Sequence, residues 1–280
     1  MSAREEAPAV TAGEAERPHP HLVVQDHAVE GGGLVRVLRI DREEKLGALS
    51  GPLVAALGEQ FVRVRQDREV RALVLTGTGR GFVAGADVGE YVGVSTEAFL
   101  EYQRASRQVF DALEALPQPT VAAVNGYAFG GGFEIALCCD FLLASTGARF
   151  ALPEVTLGLI PGGGGTQRLA RAAGTRFTKE LVMTGRRVRP DEAVRRGLVT
   201  EVAEPEELAG RALALAVRLA TRAPLAVRAA KRVVDGGAAQ ELGAALSAEQ
   251  AALGALFDTA DGQEGIHAFL EKRAPRFTGT

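Results

Sequence analysis

Apolar and polar positions divide the chain into two regimes. Up to about residue 203, short apolar runs of strand type alternate with stretches whose apolar residues recur at helical spacing. Residues 21–26 and 34–40 read as paired strands joined across Gly31-Gly32-Gly33. Leu53, Leu57, Phe61 and Val64 predict a helix over 52–67, with Ser50 as its expected cap. A buried strand follows at 71–76, then a helix from Ser95 to about residue 116, then a central strand at 121–124. Asn125-Gly126 marks a turn, and Gly130-Gly131-Gly132 opens a helix expected to run through Cys139. Strands at 141–145, 149–151 and 198–202 flank helices near 168–173, 175–184 and 190–196. From 205 the pattern is helical throughout, over 205–221, 224–235, 239–256 and 261–272. The alternation predicts an α/β fold with a mostly parallel sheet wound by helices. Three regions are expected: a disordered tail at 1–20, an α/β core at 21–204, and a helical region at 205–280.

Composition narrows the function. The 280 residues, 46% hydrophobic and 24% charged, support one large domain, or one plus a smaller appendage, for which the helical stretch from 205 is the candidate. A net charge of −3 argues against general nucleic-acid binding, yet leaves room for an anionic small molecule on a local basic patch. The two cysteines, Cys138 and Cys139, are adjacent in an apolar helix. They read as buried thiols of a reducing, cytoplasmic compartment, with neither disulfide nor zinc spacing. No apolar run reaches membrane length, so no membrane partner is expected. The first twenty residues lack the apolar stretch of a signal peptide, and Glu5, Glu6, Glu14 and Glu16 speak against a mitochondrial transit peptide. His19, His21 and His27 cluster loosely there, but a disordered segment gives a metal no fixed geometry, and no metal site is expected.

Glu134 is the anomaly. It sits in the first turn of a helix with apolar neighbours on almost every side, and a carboxylate is almost never buried without a partner or a task. Backbone N–H groups at a helix start are unpaired and carry partial positive charge, and glycines let a ligand approach them. An oxygen becoming an anion is well placed at Gly131, with Glu134 one turn away to move a proton. On this stretch alone a plainer reading stands beside it: the glycines permit tight strand–helix packing and Glu134 reaches solvent. Other motifs fail. Residues 77–82, GTGRGF, have Phe82 where a dinucleotide fingerprint needs glycine. No P-loop and no G-x-S-x-G elbow is present. The sole histidine beyond the N-terminal region, His267, reads as a helix-surface residue.

Four stretches together resemble the crotonase superfamily, the enoyl-CoA hydratase/isomerase family. They are AGADV at 84–88, NGYAFGGGFEIALCCD at 125–140, PEVTLGLIPGGGGTQRL at 153–169 and EGIHAFLEKRAPRF at 264–277, in the family's order. The resemblance covers about residues 21–280. It implies a crotonase-like spiral of β-β-α units with a C-terminal helical region used in oligomerisation, assembled as a trimer or a dimer of trimers.

The resemblance also implies roles. The backbone N–H groups of Ala86 and Gly131 match the family's oxyanion hole, which polarises a thioester carbonyl and holds the enolate oxygen. Glu134 and Glu154 match the two glutamates of family hydratases, the first mainly positioning and activating water, the second protonating the α-carbon. A plainer role for Glu154 is that of an acid at a helix start after Pro153. Lys45 and Ala48 lie in EKLGALS, which resembles the segment lining the adenine and pantetheine site. Ala86, Asp87, Val88 and Gly89 belong to the same substrate-binding set, and Asp87 can equally close a turn. Phe269 and Lys272 match residues that reach the CoA of a neighbouring subunit; Lys272, Arg273 and Arg276 also suit a solvated helix end. Gly47 and Glu43 depart from the family's usual Asn and Pro, which points to a softer loop. The four glycines at 162–165 read as structure beside the site, not as a phosphate cradle.

The expected activity is therefore addition of water to a trans-2-enoyl-CoA thioester, giving a 3-hydroxyacyl-CoA, without metal or redox cofactor. Coenzyme A would enter as part of the substrate. Two rivals differ in a testable way. A double-bond isomerase or other CoA-enolate enzyme needs only one of the glutamates. An acyl-CoA or RNA-binding protein needs no glutamate but, for RNA, a basic surface.

Overall fold

The computed structural model describes residues 8–280. Strands β1 (Val10–His19), β2 (Leu22–Val29) and β3 (Gly33–Ile40) pair antiparallel, each with the next. From β3 the sheet continues in parallel through β4 (Val70–Gly77), across to the strands Thr120–Val124, Phe141–Ser145 and Glu201–Ala203. A second, three-stranded parallel sheet is made by β5 (Gly81–Val83), β7 (Tyr127–Phe129) and β9 (Arg149–Ala151). The intervening strands are thus β6, β8 and β10 of the larger sheet. Each turn of the spiral places one strand in each sheet, in the pairs β4/β5, β6/β7 and β8/β9, before a helix returns the chain. The expected β-β-α spiral is the fold observed.

The helices of the core are α1 (Gly51–Gln66), α2 (Thr96–Glu114), α3 (Gly131–Leu137), α4 (Gly165–Ala173), α5 (Thr175–Thr184) and α6 (Pro190–Arg195). Beyond them lie α7 (Pro205–Ala220), α8 (Pro224–Gly237), α9 (Leu242–Phe257) and α10 (Ala260–Glu271). The middle strands read as unbroken apolar runs because both faces are covered. Leu73, Leu75, Ala122 and Val124 point into the main core with Phe61, Phe82, Phe133 and Phe150. Ala72, Val74, Val121, Ala123 and Leu143 point the other way, against Leu208, Ala212, Ala216 and Val217 of α7. The first helix beyond residue 204 therefore forms one of the two layers covering the sheet.

Four expectations need correction. Residues 10–19 are not a disordered tail: β1 pairs with β2 although nearly all its side chains are exposed. Composition ruled out a core there, but an edge strand is held by backbone hydrogen bonds and needs none. Residues 1–7 of that tail lie outside the described residues. The Ser50 side chain makes no capping bond; the Gly51 amide donates instead to the Glu90 carboxylate at 2.9 Å. The helix after the triple glycine stops at Leu137, before the cysteines. The last strand is Glu201–Ala203, shifted from 198–202.

Candidate active site

The site is built where the two sheets' turns meet. Asn125 does more than turn the chain: its Oδ1 accepts from the Gly77 amide at 3.0 Å, and its Nδ2 donates to the carbonyls of Gly79 and Gly81 at 2.9 and 3.0 Å. This staples the β4–β5 turn to the β6–β7 turn. The same β4–β5 turn holds the GTGRGF segment, which leads into a strand and not a helix. Two glycines then allow α3 to start. Gly130 has φ of 48°, a left-handed value that side chains disfavour. A Cβ on Gly132 would collide with the Val83 carbonyl, so strand β5 passes directly against the helix start.

Glu134, in the first turn of α3, is 3% exposed. Its Oε1 accepts from the Gly165 amide at 2.7 Å, at the N-terminus of α4. Burial pushes its pKa up, and the backbone N–H groups of Gly165, Gly163 and Gly164, together with Arg168, pull against that rise. Gly163, Gly164 and Gly165 of the glycine run are thus the cradle of a carboxylate, a role sequence reading did not find. Arg168 fixes the cradle: it donates to the Gly163 carbonyl at 2.6 Å and pairs with Asp111 and Glu114 of α2.

Glu154 opens a short 3-10 turn, Glu154–Leu157, after Pro153. Its Oε2 is buried with no hydrogen-bond partner. Burial, with the negative charge of Glu134 adding to it, pushes its pKa up to about 7. Both carboxylates line one cavity of about 430 Å³, with Ala86, Gly130 and Gly131 in the same wall. Two amides in that wall are left over by the local geometry. At the Leu49–Ala86 bridge the bonds are made by the Gly85 carbonyl and the Asp87 N–H, at 2.9 and 2.7 Å, so the N–H of Ala86 stays outside the ladder. The N–H of Gly131 lies in the first turn of α3, where no intrahelical acceptor exists.

Asp87 accepts from Arg42 Nη2 and from Lys45 Nζ, both at 2.8 Å, and these cations hold its carboxyl below the usual range. Arg42 also donates to the Ala48 carbonyl at 2.8 Å. The group Arg42, Lys45, Ala48 and Asp87 therefore clasps the 41–49 loop to the loop carrying Ala86. Arg42 escaped the sequence reading; its one signal was a cation in a loop beside the expected CoA segment. Lys45 remains half-exposed while bonded to Asp87. Val88 lines the cavity, and Gly89 is exposed beside it. Phe269, 83% exposed, and Lys272, the left-handed residue ending α10, are not brought to the cavity of their own chain.

Comparison with known proteins agrees with this architecture. The family model for enoyl-CoA hydratase/isomerase matches residues 30–280. The short-chain-enoyl-CoA hydratase of Clostridium acetobutylicum is 41% identical over 246 residues, 88% of this chain and 94% of that protein. The crotonyl-CoA hydratase of Syntrophomonas wolfei is 41% identical over 242 residues, 86% and 93% of the two chains. The crystal structure of an enoyl-CoA hydratase from Bacillus anthracis superposes with a TM-score of 0.86 at 36% identity, covering 95% of this chain and 99% of that one. With a match across most of its length and the spiral of paired sheets in place, the chain belongs to the enoyl-CoA hydratase/isomerase family.

Proposed function

We propose that the protein adds water across the double bond of a trans-2-enoyl-CoA to give a 3-hydroxyacyl-CoA. The observation that carries this reading is the presence of two carboxylates, Glu134 and Glu154, in the wall of one cavity, both with raised pKa. Glu134 takes a proton from a water as its oxygen attacks the β-carbon. The thioester oxygen gains charge and is held by the N–H groups of Ala86 and Gly131; donors aimed at such charge are commonly worth ~3–4 kcal/mol each. Glu154 delivers a proton to the α-carbon, so one water is added and no electron leaves the substrate. The reading requires no metal or redox cofactor.

Further support bears on how the substrate is held and where. The Arg42–Asp87–Lys45 clasp sets the Ala86 loop, and Lys45 is exposed enough to meet a phosphate of CoA. α9 buries no residue and exposes Leu242, Leu246, Leu253 and Phe257, while α10 exposes Ile266, Phe269 and Leu270. So much exposed apolar surface supports a homo-oligomer, a trimer or a dimer of trimers, in which Phe269 and Lys272 act on a neighbouring subunit's CoA. Two buried free thiols suit a cytoplasmic setting, and among the described residues no helix is long and apolar enough to cross a membrane.

The test is Glu134→Gln and Glu154→Gln. Each is expected to lower kcat for hydration by ~10²–10⁴ with little change in KM, and the double variant to lose far less than the product of the two. Near wild-type loss of the conjugated-thioester absorbance in Glu134→Gln would overturn the hydratase reading. Survival of double-bond shifting in that variant, but not in Glu154→Gln, would favour the isomerase.

A further inference from the structure

Arg168 sits in the first turn of α4, behind the cavity wall and not in it. Its side chain is 14% exposed, and all three guanidinium nitrogens are engaged. Nη1 donates to the Gly163 carbonyl at 2.6 Å, and Nη2 donates to Asp111 at 2.7 Å. Nε and Nη2 together grip the Glu114 carboxylate as a fork, at 2.9 and 2.6 Å. Gly164 leaves room for the guanidinium, since a Cβ there would collide with it. The arginine thereby joins two parts of the site. One is α2, whose Phe99, Leu100, Tyr102, Gln103 and Phe110 line the cavity while Asp111 and Glu114 do not. The other is the glycine cradle of Glu134.

Electrostatics points to the same residue. Among the described residues, no lysine, arginine or histidine lines the cavity. Glu134 is faced by the glycine amides, by Glu154, by Tyr91, by Cys138 one turn along, and by Arg168. Of these groups Arg168 is the cation. Arg168 in turn faces Asp111, Glu114 and Cys138, and Asp111 is also paired with Arg107 at 3.5 Å. A base must be ionised to take a proton, and burial of Glu134 opposes that ionisation. The amides and Arg168 act against the burial.

We propose that Arg168 is a positioning residue for hydration: anchored on Asp111 and Glu114 of α2, it holds the Gly163 carbonyl and so sets the glycine amides that aim the Glu134 carboxylate at the attacking water. This deepens the hydration reading and rests on it. Two carboxylates outside the cavity thereby take part in setting the base. Arginine suits the task because its planar fork reaches several acceptors at fixed angles, which the single ammonium of lysine does not.

The experiment measures hydration of crotonyl-CoA across pH by wild type, Arg168→Met and Arg168→Lys, with thermal melts to check folding. Arg168→Met is expected to lower kcat by ~10–100-fold with little change in KM, as a misplacement of about 1 Å suffices for such a loss. Without the cation, Glu134 keeps its proton to higher pH, so the acid limb of kcat/KM is expected to move to higher pH. Arg168→Lys keeps the charge but loses the fork, so its kcat is expected to fall while its acid limb stays near that of wild type. Wild-type kcat in folded Arg168→Met overturns the proposal. A lowered kcat with an unmoved acid limb in that variant also overturns it, because general loosening of the fold would do the same. If Arg168→Met does not fold, Arg168→Lys decides: lowered kcat at unchanged KM supports the role, and wild-type kcat overturns it. Hydration unaffected by the variants removes the role of Arg168 alone; failure of wild type to hydrate the thioester removes the hydration reading itself.

Discussion

The amide N–H of Gly165 donates to Oε1 of Glu134 at 2.7 Å, joining the start of α4 to the first turn of α3. This bond gives the buried carboxylate a fixed direction. It also explains why glycine recurs beside it. A Cβ on Gly163 would lie 2.7 Å from Glu134 Oε2 and 2.7 Å from the Phe110 ring.

Gly163→Ala is therefore expected to displace the carboxylate or the Phe110 ring. A displacement of about 1 Å can cost on the order of 10²-fold in rate, so a fall in kcat of ~10–100-fold is expected, larger than any rise in KM. Steady-state kinetics on crotonyl-CoA checks this. Unchanged kcat would mean that the cradle does not set the geometry of Glu134.

The pH dependence has a definite sign. Burial, with the negative charge of Glu134 adding to it, raises the Glu154 pKa from 4.5 to about 7 in the folded chain. In its proposed role as proton donor to the α-carbon Glu154 must be protonated, so kcat/KM for hydration is expected to fall as pH rises through about 7. A flat profile through that range would remove Glu154 from the donor role. Stability moves in the same direction. Between 4.5 and about 7 the folded state binds more proton than the unfolded one, so stability falls with rising pH in that window. The melting temperature of wild type should decline across it more than that of Glu154→Gln.

Assembly is testable at α10. Removing residues 264–280 also removes the bond Arg71 donates to the Phe277 carbonyl and those the Thr278 and Gly279 amides donate to the Asp261 carboxylate. Phe269→Asp isolates the surface, since the side chain is 83% exposed and the fold does not depend on it. Light scattering is expected to show a smaller particle, and acyl-CoA binding to weaken. A fully active monomer at assay concentration would end the cross-subunit reading.

The N-terminal strand gives a contrasting expectation. Deleting residues 1–19 removes β1, whose side chains are nearly all exposed. Activity should stay within about twofold, as the strand lies at the sheet edge farthest in order from β10. The melting temperature should drop by a few degrees, at ~2–4 °C per kcal/mol for a chain of this size class. A large loss of kcat would give the strand a part in the site.

Sequence and structure divide the explanation along a physical line. The apolar runs of β4, β6 and β8, the helical spacing of Leu53, Leu57, Phe61 and Val64, and the anomaly of Glu134 were all readable along the chain. Local periodicity and local chemistry suffice for them, because they depend on residues a few positions apart. Strands β5, β7 and β9 have three residues each, too few for a period to register; only the arginine-to-alanine piece at 149–151 was picked out. Periodicity also records that a face is buried without saying what buries it, so α7 read as an appendage although it covers the sheet. β1 was misread for the converse reason: backbone pairing holds it, and composition is silent on backbone pairing. The contacts that shape the site are longer in range still. Glu134 meets Gly165 across 31 residues, and Arg42 meets Asp87 across 45. Such bonds exist only once the spiral has brought distant turns to one wall, and no local pattern encodes which turns will meet.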